Sequence, residues 1–211
     1  DYDEAIVEKQ VGEITDKLEK ASEEYADIYK ERFENKIEEV TETVKTGAEE
    51  YGELYKTALE EKISSVAENV QKGAEEYAAL LMTGKQPTKA DLSVDVDDFA
   101  FRMIGNSVQA AMSGTEYTAP SEQEFLAQYK DSVKKPTQAD LSVETDDFTF
   151  KMIEDTVSAM LSGEEPSAPS EDEFKDAYLK TIEKPTKDEL SVPLDDFLFG
   201  IIEDGVDAEL N

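Results

Sequence analysis

Three acidic pairs recur in this chain, each directly before a phenylalanine: Asp97-Asp98 before Phe99, Asp146-Asp147 before Phe148, and Asp195-Asp196 before Phe197. Clustered carboxylates are the donors a hard cation such as Ca²⁺ gathers, roughly six to eight oxygens at a time, and Asp95 and Glu144 stand beside the first two pairs. The spacing lacks the central glycine and the closing glutamate of an EF-hand loop. Acidic residues also favour the first turn of a helix, where they complement its positive end. That structural role is the main expectation for all six aspartates, so they are weak metal candidates and no metal or cofactor is assigned.

Other chemistry has less to work with. The chain has no cysteine and no histidine, which removes the usual activated nucleophiles and their bases, disulfides and thiolate metal sites. Carboxylate pairs serve glycosidases only within a deep cleft, and thin helical layers rarely form one. Gly47 and Gly52 are isolated among glutamates and make no phosphate-binding loop. A non-enzymatic protein is expected.

The aromatic residues are the other patterned group. Tyr25, Tyr29, Tyr51, Tyr55 and Tyr77 recur along one stretch, and Phe99/Phe101, Phe148/Phe150 and Phe197/Phe199 recur along another. Aromatic side chains are enriched where proteins meet, so all of these are candidate partner-binding residues. A buried seam with hydroxyls reaching its rim is the competing reading.

The elements that carry these residues follow from two periods. From Ile6 to Leu81 there is no proline, and Ala21-Ser22-Glu23-Glu24-Tyr25 returns as Gly47-Ala48-Glu49-Glu50-Tyr51 and Gly73-Ala74-Glu75-Glu76-Tyr77, 26 residues apart each time. Between Tyr25 and Tyr77 the apolar stripe recurs about every 3.7 residues, close to an eleven-residue repeat and away from the 3.5 of a left-handed coiled coil. Each interior glycine costs about 1 kcal/mol against alanine, yet the stripe crosses Gly47 and Gly73 without a phase shift. One long amphipathic helix is expected, with a three-segment helical bundle turning near those glycines as the alternative. The periodicity resembles that of apolipoprotein-like and stress-associated amphipathic helices over residues 6–81, which implies a lipid-surface role. The glutamate-rich polar face departs from that pattern.

From Pro87 a second period takes over: Pro-Thr-Lys-Ala-Asp-Leu-Ser-Val at 87–94 returns in variant form at 136–143 and 185–192, 49 residues apart. Each full unit reads as two helices. The first, beginning near Ser93 or Asp95, carries Phe99, Phe101, Ile104, Val108 and Met112 and closes at Gly114. The second starts at a capping box, Ser121 to Glu124 or Ser170 to Glu173. It carries Phe125, Tyr129 and Val133, or Phe174, Tyr178 and Ile182, up to Pro136 or Pro185. The expected fold is therefore all-α. Residues 1–84 form the long helical region, and residues 85–211 form tandem helix-pair repeats at 87–135 and 136–184, with a partial one at 185–211.

Composition limits the partners. Of the 211 residues, 52 are acidic and 21 basic, for a net charge of −31, so nucleic acid and anionic lipid should repel the chain. Proteins with basic surfaces, or self-association, fit better. There is no run of about 20 apolar residues, so no transmembrane helix is expected. The sequence starts at Asp1 and not at methionine, as after removal of a signal or transit peptide from an exported or organellar protein, or after trimming. The expected function is a structural or linker subunit that scaffolds a larger assembly. An acidic Ca²⁺-responsive binding module and a lipid-surface protein are the alternatives.

Overall fold

The structure, a computed structural model, describes residues 2–210, and those residues are all-α with no strand. The helices are α1 (Tyr2–Met82), α2 (Asp98–Ser113), α3 (Glu122–Tyr129), α4 (Asp147–Ser162), α5 (Glu171–Tyr178) and α6 (Asp196–Leu210). None is long and apolar enough to cross a membrane.

α1 is a single helix of 81 residues that runs through Gly47 and Gly73 without a break. The bundle with turns at those glycines is not what the chain forms. The unshifted stripe explains why, since the residues buried between Ala21 and Tyr77 stay on one face. Gly73 has a packing reason to be there: a Cβ at this position would lie 2.5 Å from Ile104 Cδ1 and 3.3 Å from Val94 Cγ2. A side chain of α2 thus rests on bare helix backbone, and the contact offsets glycine's cost of about 1 kcal/mol. α1 closes at Gly84, whose φ is +82°. There the Gly84 and Lys85 amides donate to the Leu81 and Leu80 carbonyls at 2.9 and 3.3 Å, the paired bonds of a left-handed helix stop.

The chain divides into two compact units, one of Asp1–Thr46 with Glu144–Asn211 and one of Gly47–Val143. Each takes part of α1 and sets later helices on it. In the second unit Leu59, Val66, Val70 and Tyr77 of α1 share a core with Ala100, Met103, Ile104 and Val108 of α2 and Tyr129 of α3. In the first unit Ala21 and Tyr25 of α1 pack with Leu190, Val192 and, from α6, Ile202 and Val206.

The proline segments are more ordered than linkers. Thr88, Thr137 and Thr186 open short 3₁₀ turns, and their amides donate to Asp91, Asp140 and Glu189 at 2.8, 2.8 and 2.7 Å. Hydrogen bonds from Lys85 and Thr88 pull the Asp91 carboxyl down to about 2. The serine that follows each turn is then clamped to α1. In the second unit the Ser93 amide donates to Glu76 at 2.6 Å and its hydroxyl bonds the same carboxylate, while the amide and hydroxyl of Ser142 donate to Glu50 at 2.9 and 3.0 Å. In the first unit Ser191 meets Glu24 in the same way, its amide at 2.7 Å. The serine bonds hold Glu24 and Glu76 below the ordinary glutamate range.

Helix ends follow local chemistry, with one departure. The Asp97 and Asp146 carboxylates cap α2 and α4, and Gly114 and Gly163 end those helices at φ +69° and +73°. Ser121 with Glu124, and Ser170 with Glu173, form complete capping boxes at the start of α3 and α5. These two helices do not run on to Pro136 and Pro185, however, but stop at Tyr129 and Tyr178. Each stops where the next carbonyl is taken by α1: Tyr55 donates to the Lys130 carbonyl at 2.5 Å and Tyr29 to the Leu179 carbonyl at 2.9 Å. A tertiary hydrogen bond at the helix end, invisible in the local sequence, sets the length.

Candidate docking site

The six aspartates occupy helix starts. Asp97, Asp146 and Asp195 are N-cap acceptors for the amides of Ala100, Thr149 and Leu198 at 2.8, 2.8 and 2.9 Å. Asp98 and Asp196 pair with Lys89 and Lys187, whose hydrogen bonds lower both carboxyls. Asp147 is exposed at the first residue of α4. Among the described residues no three potential metal-ligating side chains cluster. A cleft of about 230 Å³ lies beside Asp95 and Asp97 in the second unit, also lined by Lys62, Asn69, Val66 and Ala100, and is smaller than most ligand pockets.

The tyrosines of α1 face inward. Tyr25, Tyr29, Tyr51 and Tyr55 are each at most 5% exposed, and Tyr25 meets Phe199 edge-on with ring centroids 6.0 Å apart. Burial, with the Glu203 and Asp207 carboxylates nearby, pushes the Tyr25 hydroxyl up to about 12. Phe101 packs edge-on against Tyr77 at 5.9 Å, and Phe150 is half-buried on α4.

Phe99 and Phe148 are covered alike, whereas Phe197 is exposed. In the second unit Phe99 is covered by α3, with Phe125 and Tyr129 edge-on at 5.7 and 5.9 Å. The Tyr129 hydroxyl donates to the cap carboxylate Asp97 at 3.3 Å, and Lys62 Nζ of α1 sits 5.5 Å from the Tyr129 ring centroid. In the first unit Phe148 is covered by α5 with nearly the same geometry, Phe174 and Tyr178 lying at 5.7 and 5.6 Å. Tyr178 donates to Asp146 at 3.0 Å and lies under Lys36, again at 5.5 Å. Burial raises Tyr178 to about 12, with the Asp146 carboxylate adding to the shift. Burial alone would raise Asp146, but the Thr149 amide and the Tyr178 and Thr149 hydroxyls outweigh it and leave that carboxyl lowered.

Phe197 holds the same place on α6 and is 76% exposed. Among the described residues it has no ring partner, and its cap residue Asp195 receives no tyrosine hydroxyl. The matching stretch of α1 is exposed too. Counting back 26 residues from Phe33, Ile37 and Val40 of the stripe gives Val7, Val11 and Ile14. Phe33 and Val40 are 6% and 4% exposed, whereas Val7, Val11 and Ile14 are 57%, 56% and 44% exposed. In the first unit, then, Phe148 is covered by α5, while Phe197 and the start of α1 are exposed among the described residues.

Two sets of residues in this arrangement were not identified from the sequence. Glu24, Glu50 and Glu76 belong to the repeated Glu-Glu-Tyr motif, but their clamp role needs the serine that arrives from far along the chain. The tyrosine bonds to Asp97 and Asp146 have a signal in hindsight, since Tyr129 and Tyr178 keep a constant offset of 32 residues from the aspartates. No family model, curated protein or solved structure matches this chain.

Proposed function

We propose that this chain is a non-enzymatic structural or linker subunit, in which tandem 49-residue helix-pair units seat on the 26-residue repeats of α1 and present docking positions at regular spacing. The observation that carries this reading is the apolar stripe of α1, which continues past its covered part through Ile6, Val7, Val11 and Ile14 with each residue more than 40% exposed. An exposed, contiguous apolar face on so acidic a chain is expected to be covered in use. The groups that could have done chemistry support the reading, because five of the six aspartates are engaged as caps or ion pairs and burial raises the Tyr25 and Tyr178 hydroxyls. The site residues favoured for a partner are those on the surface, above all Phe197. The inward-facing tyrosines serve as the seam.

The test is the size of the native particle. In an extract of its source fractionated under gentle conditions, the chain is expected to migrate well above the 23.5 kDa of one copy, bound to a different protein. Recovery only as a folded single chain overturns the proposal.

A further inference from the structure

The bonds that fasten the proline-turn segments to α1 run through carboxylates. We propose that these bonds form an acid-operated latch: Glu24, Glu50 and Glu76 hold the later segments against α1 at neutral pH, and protonating them frees those segments and uncovers the tyrosine seam of α1. The inference goes beyond the docking-subunit reading and does not depend on it.

Each of these glutamates is the second of a Glu-Glu-Tyr triplet. It stands beside the buried stripe and is half-buried itself, whereas its neighbour, Glu23, Glu49 or Glu75, is exposed. Each accepts both the amide and the hydroxyl of one serine: Ser191 on Glu24, Ser142 on Glu50 and Ser93 on Glu76. An ionised carboxylate is an acceptor only and suits two converging donors. Once protonated it carries an O–H of its own and loses the charge that strengthens both bonds. The charged groups that face these glutamates belong to α1: Lys20, 3.8 Å from Glu24, and Lys72 near Glu76. Among the described residues no ion pair reaches them from the later segments. Glu189 adds one more carboxylate bond to α1, through Arg32. Tyr55 and Tyr29, which bond the Lys130 and Leu179 carbonyls, do not titrate in acid.

The two sides of this contact respond to acid in opposite ways. In the later segments, hydrogen bonds and lysines lower Asp91, Asp140 and Glu189 in the proline turns and Asp98 and Asp196 at helix starts. The serine bonds likewise lower Glu24 and Glu76. Carboxyls lowered in the folded state support it above their ordinary values, 4.5 for glutamate, and lose that support as pH falls through the folded values, about 2 for Asp91. The backbone bonds of α1 need no carboxylate, and protonation relieves repulsion between glutamates along the helix. At 81 residues α1 is also far beyond the length at which an isolated helix is marginal. Acid therefore loosens the later segments and their clamps while α1 stays helical.

Acid titration of the full chain, followed by circular dichroism, tests the latch in three proteins. One is the parent, one a clamp variant with Glu24→Gln, Glu50→Gln and Glu76→Gln, and one a control with Glu23→Gln, Glu49→Gln and Glu75→Gln, which changes the charge equally. In the parent the near-ultraviolet tyrosine signal should collapse between pH 4.5 and about 2. More than half of the far-ultraviolet helical signal should remain, since α1 holds most of the helical residues. At neutral pH the clamp variant should melt roughly 5 °C or more below the parent and the control within ~2 °C of it. Because glutamine stands in for the protonated acid, the gap between clamp variant and parent should close as pH falls below 4.5. If the triple variant does not fold, Glu76→Gln against Glu75→Gln carries the same comparison. The latch is overturned by a control that matches the clamp variant, by a gap that does not change with pH, by a tyrosine signal that survives to pH 2, or by loss of both signals in one transition.

Discussion

Phe148 and Phe197 have the same immediate setting, two acidic residues before them and a half-buried phenylalanine two residues after, yet one is covered and the other is 76% exposed. The helix carrying each starts with the same aspartate cap. What separates them is a neighbour 26 residues downstream in one case, Phe174, and the lack of such a neighbour among the described residues in the other. Burial is therefore a property of the assembled seat and not of the residue or its helix, and a similar apolar face is covered in one place and exposed in another.

The strongest way to break this comparison is to truncate both phenylalanines. Phe148→Ala should cost about 2–4 kcal/mol, the loss expected for an aromatic packed against two rings. Phe197→Ala should change the stability of the isolated chain by no more than ~0.5 kcal/mol, as at other exposed sites. Chemical denaturation followed by circular dichroism reads both, and equal costs would mean that Phe197 is not the open counterpart of Phe148. Alkaline titration sharpens the same picture from the covered side. Tyr25 and Tyr178 are raised to about 12 against an ordinary value of 10. The folded state thus holds protons that the unfolded state releases, so the stability they contribute is complete below pH 10 and is lost between 10 and about 12. Tyrosinate absorbance should rise together with unfolding in that window. A rise centred at pH 10 in a chain that is still folded would place these hydroxyls in water.

A smaller effect separates the two filled seats. Thr149 is buried on α4 where α2 has Ala100, and the Thr149 and Tyr178 hydroxyls lie 2.7 Å apart. Among the described residues the Tyr129 hydroxyl has only its 3.3 Å bond to Asp97. Tyr178→Phe leaves a buried threonine hydroxyl with no tyrosine to bond and should cost about 1–3 kcal/mol, while Tyr129→Phe removes a single long bond and should cost roughly 1 kcal/mol or less. Adding Thr149→Ala to Tyr178→Phe rebuilds the alanine of the other seat and should recover part of the loss. If both tyrosine variants cost the same, the threonine hydroxyl is satisfied by another route.

Much of this architecture could be read directly from local patterns. The unbroken phase of the stripe across Gly47 and Gly73 indicated one helix. The Ser121 and Ser170 capping boxes and the Gly114 and Gly163 stops marked helix ends, because caps depend on residues within a few positions of one another. What was hidden depends on residues far apart. Nothing near Tyr129 or Tyr178 indicates that α3 and α5 end there, since Tyr55 and Tyr29 reach their next carbonyls from 75 and 150 residues away. Nothing near Tyr25 shows that its ring is closed in by Phe199 and not by a partner. For the same reason the tyrosines and the phenylalanines looked equally suited to docking, and only the assembled structure shows that Phe197 is the exposed one among them.

The glycines of α1 allow the finest comparison. Gly52 and Gly73 lie in the same helix, and both were expected to weaken it. A Cβ at Gly52 would meet nothing within 4 Å, so Gly52→Ala should raise stability by about 0.5–1 kcal/mol through helix propensity alone. At Gly73 the same gain is opposed by the 2.5 Å approach of Ile104 Cδ1, from a side chain with no exposure and no free space to enter. Overpacking of this kind costs about 1–3 kcal/mol, but the first unit carries alanine at the equivalent position, Ala21, fully buried near Ile202. A helix crossing of this type can therefore accommodate one methyl group with adjustment, which places Gly73→Ala at the low end, a net loss of roughly 1 kcal/mol or less. Ile104→Val removes the offending carbon, and in the double variant the alanine should recover its propensity gain, giving a favourable coupling of about 0.5–1 kcal/mol. If Gly73→Ala instead stabilises the chain as much as Gly52→Ala does, Ile104 is free to move, and the close crossing of α1 and α2 is not what requires the glycine.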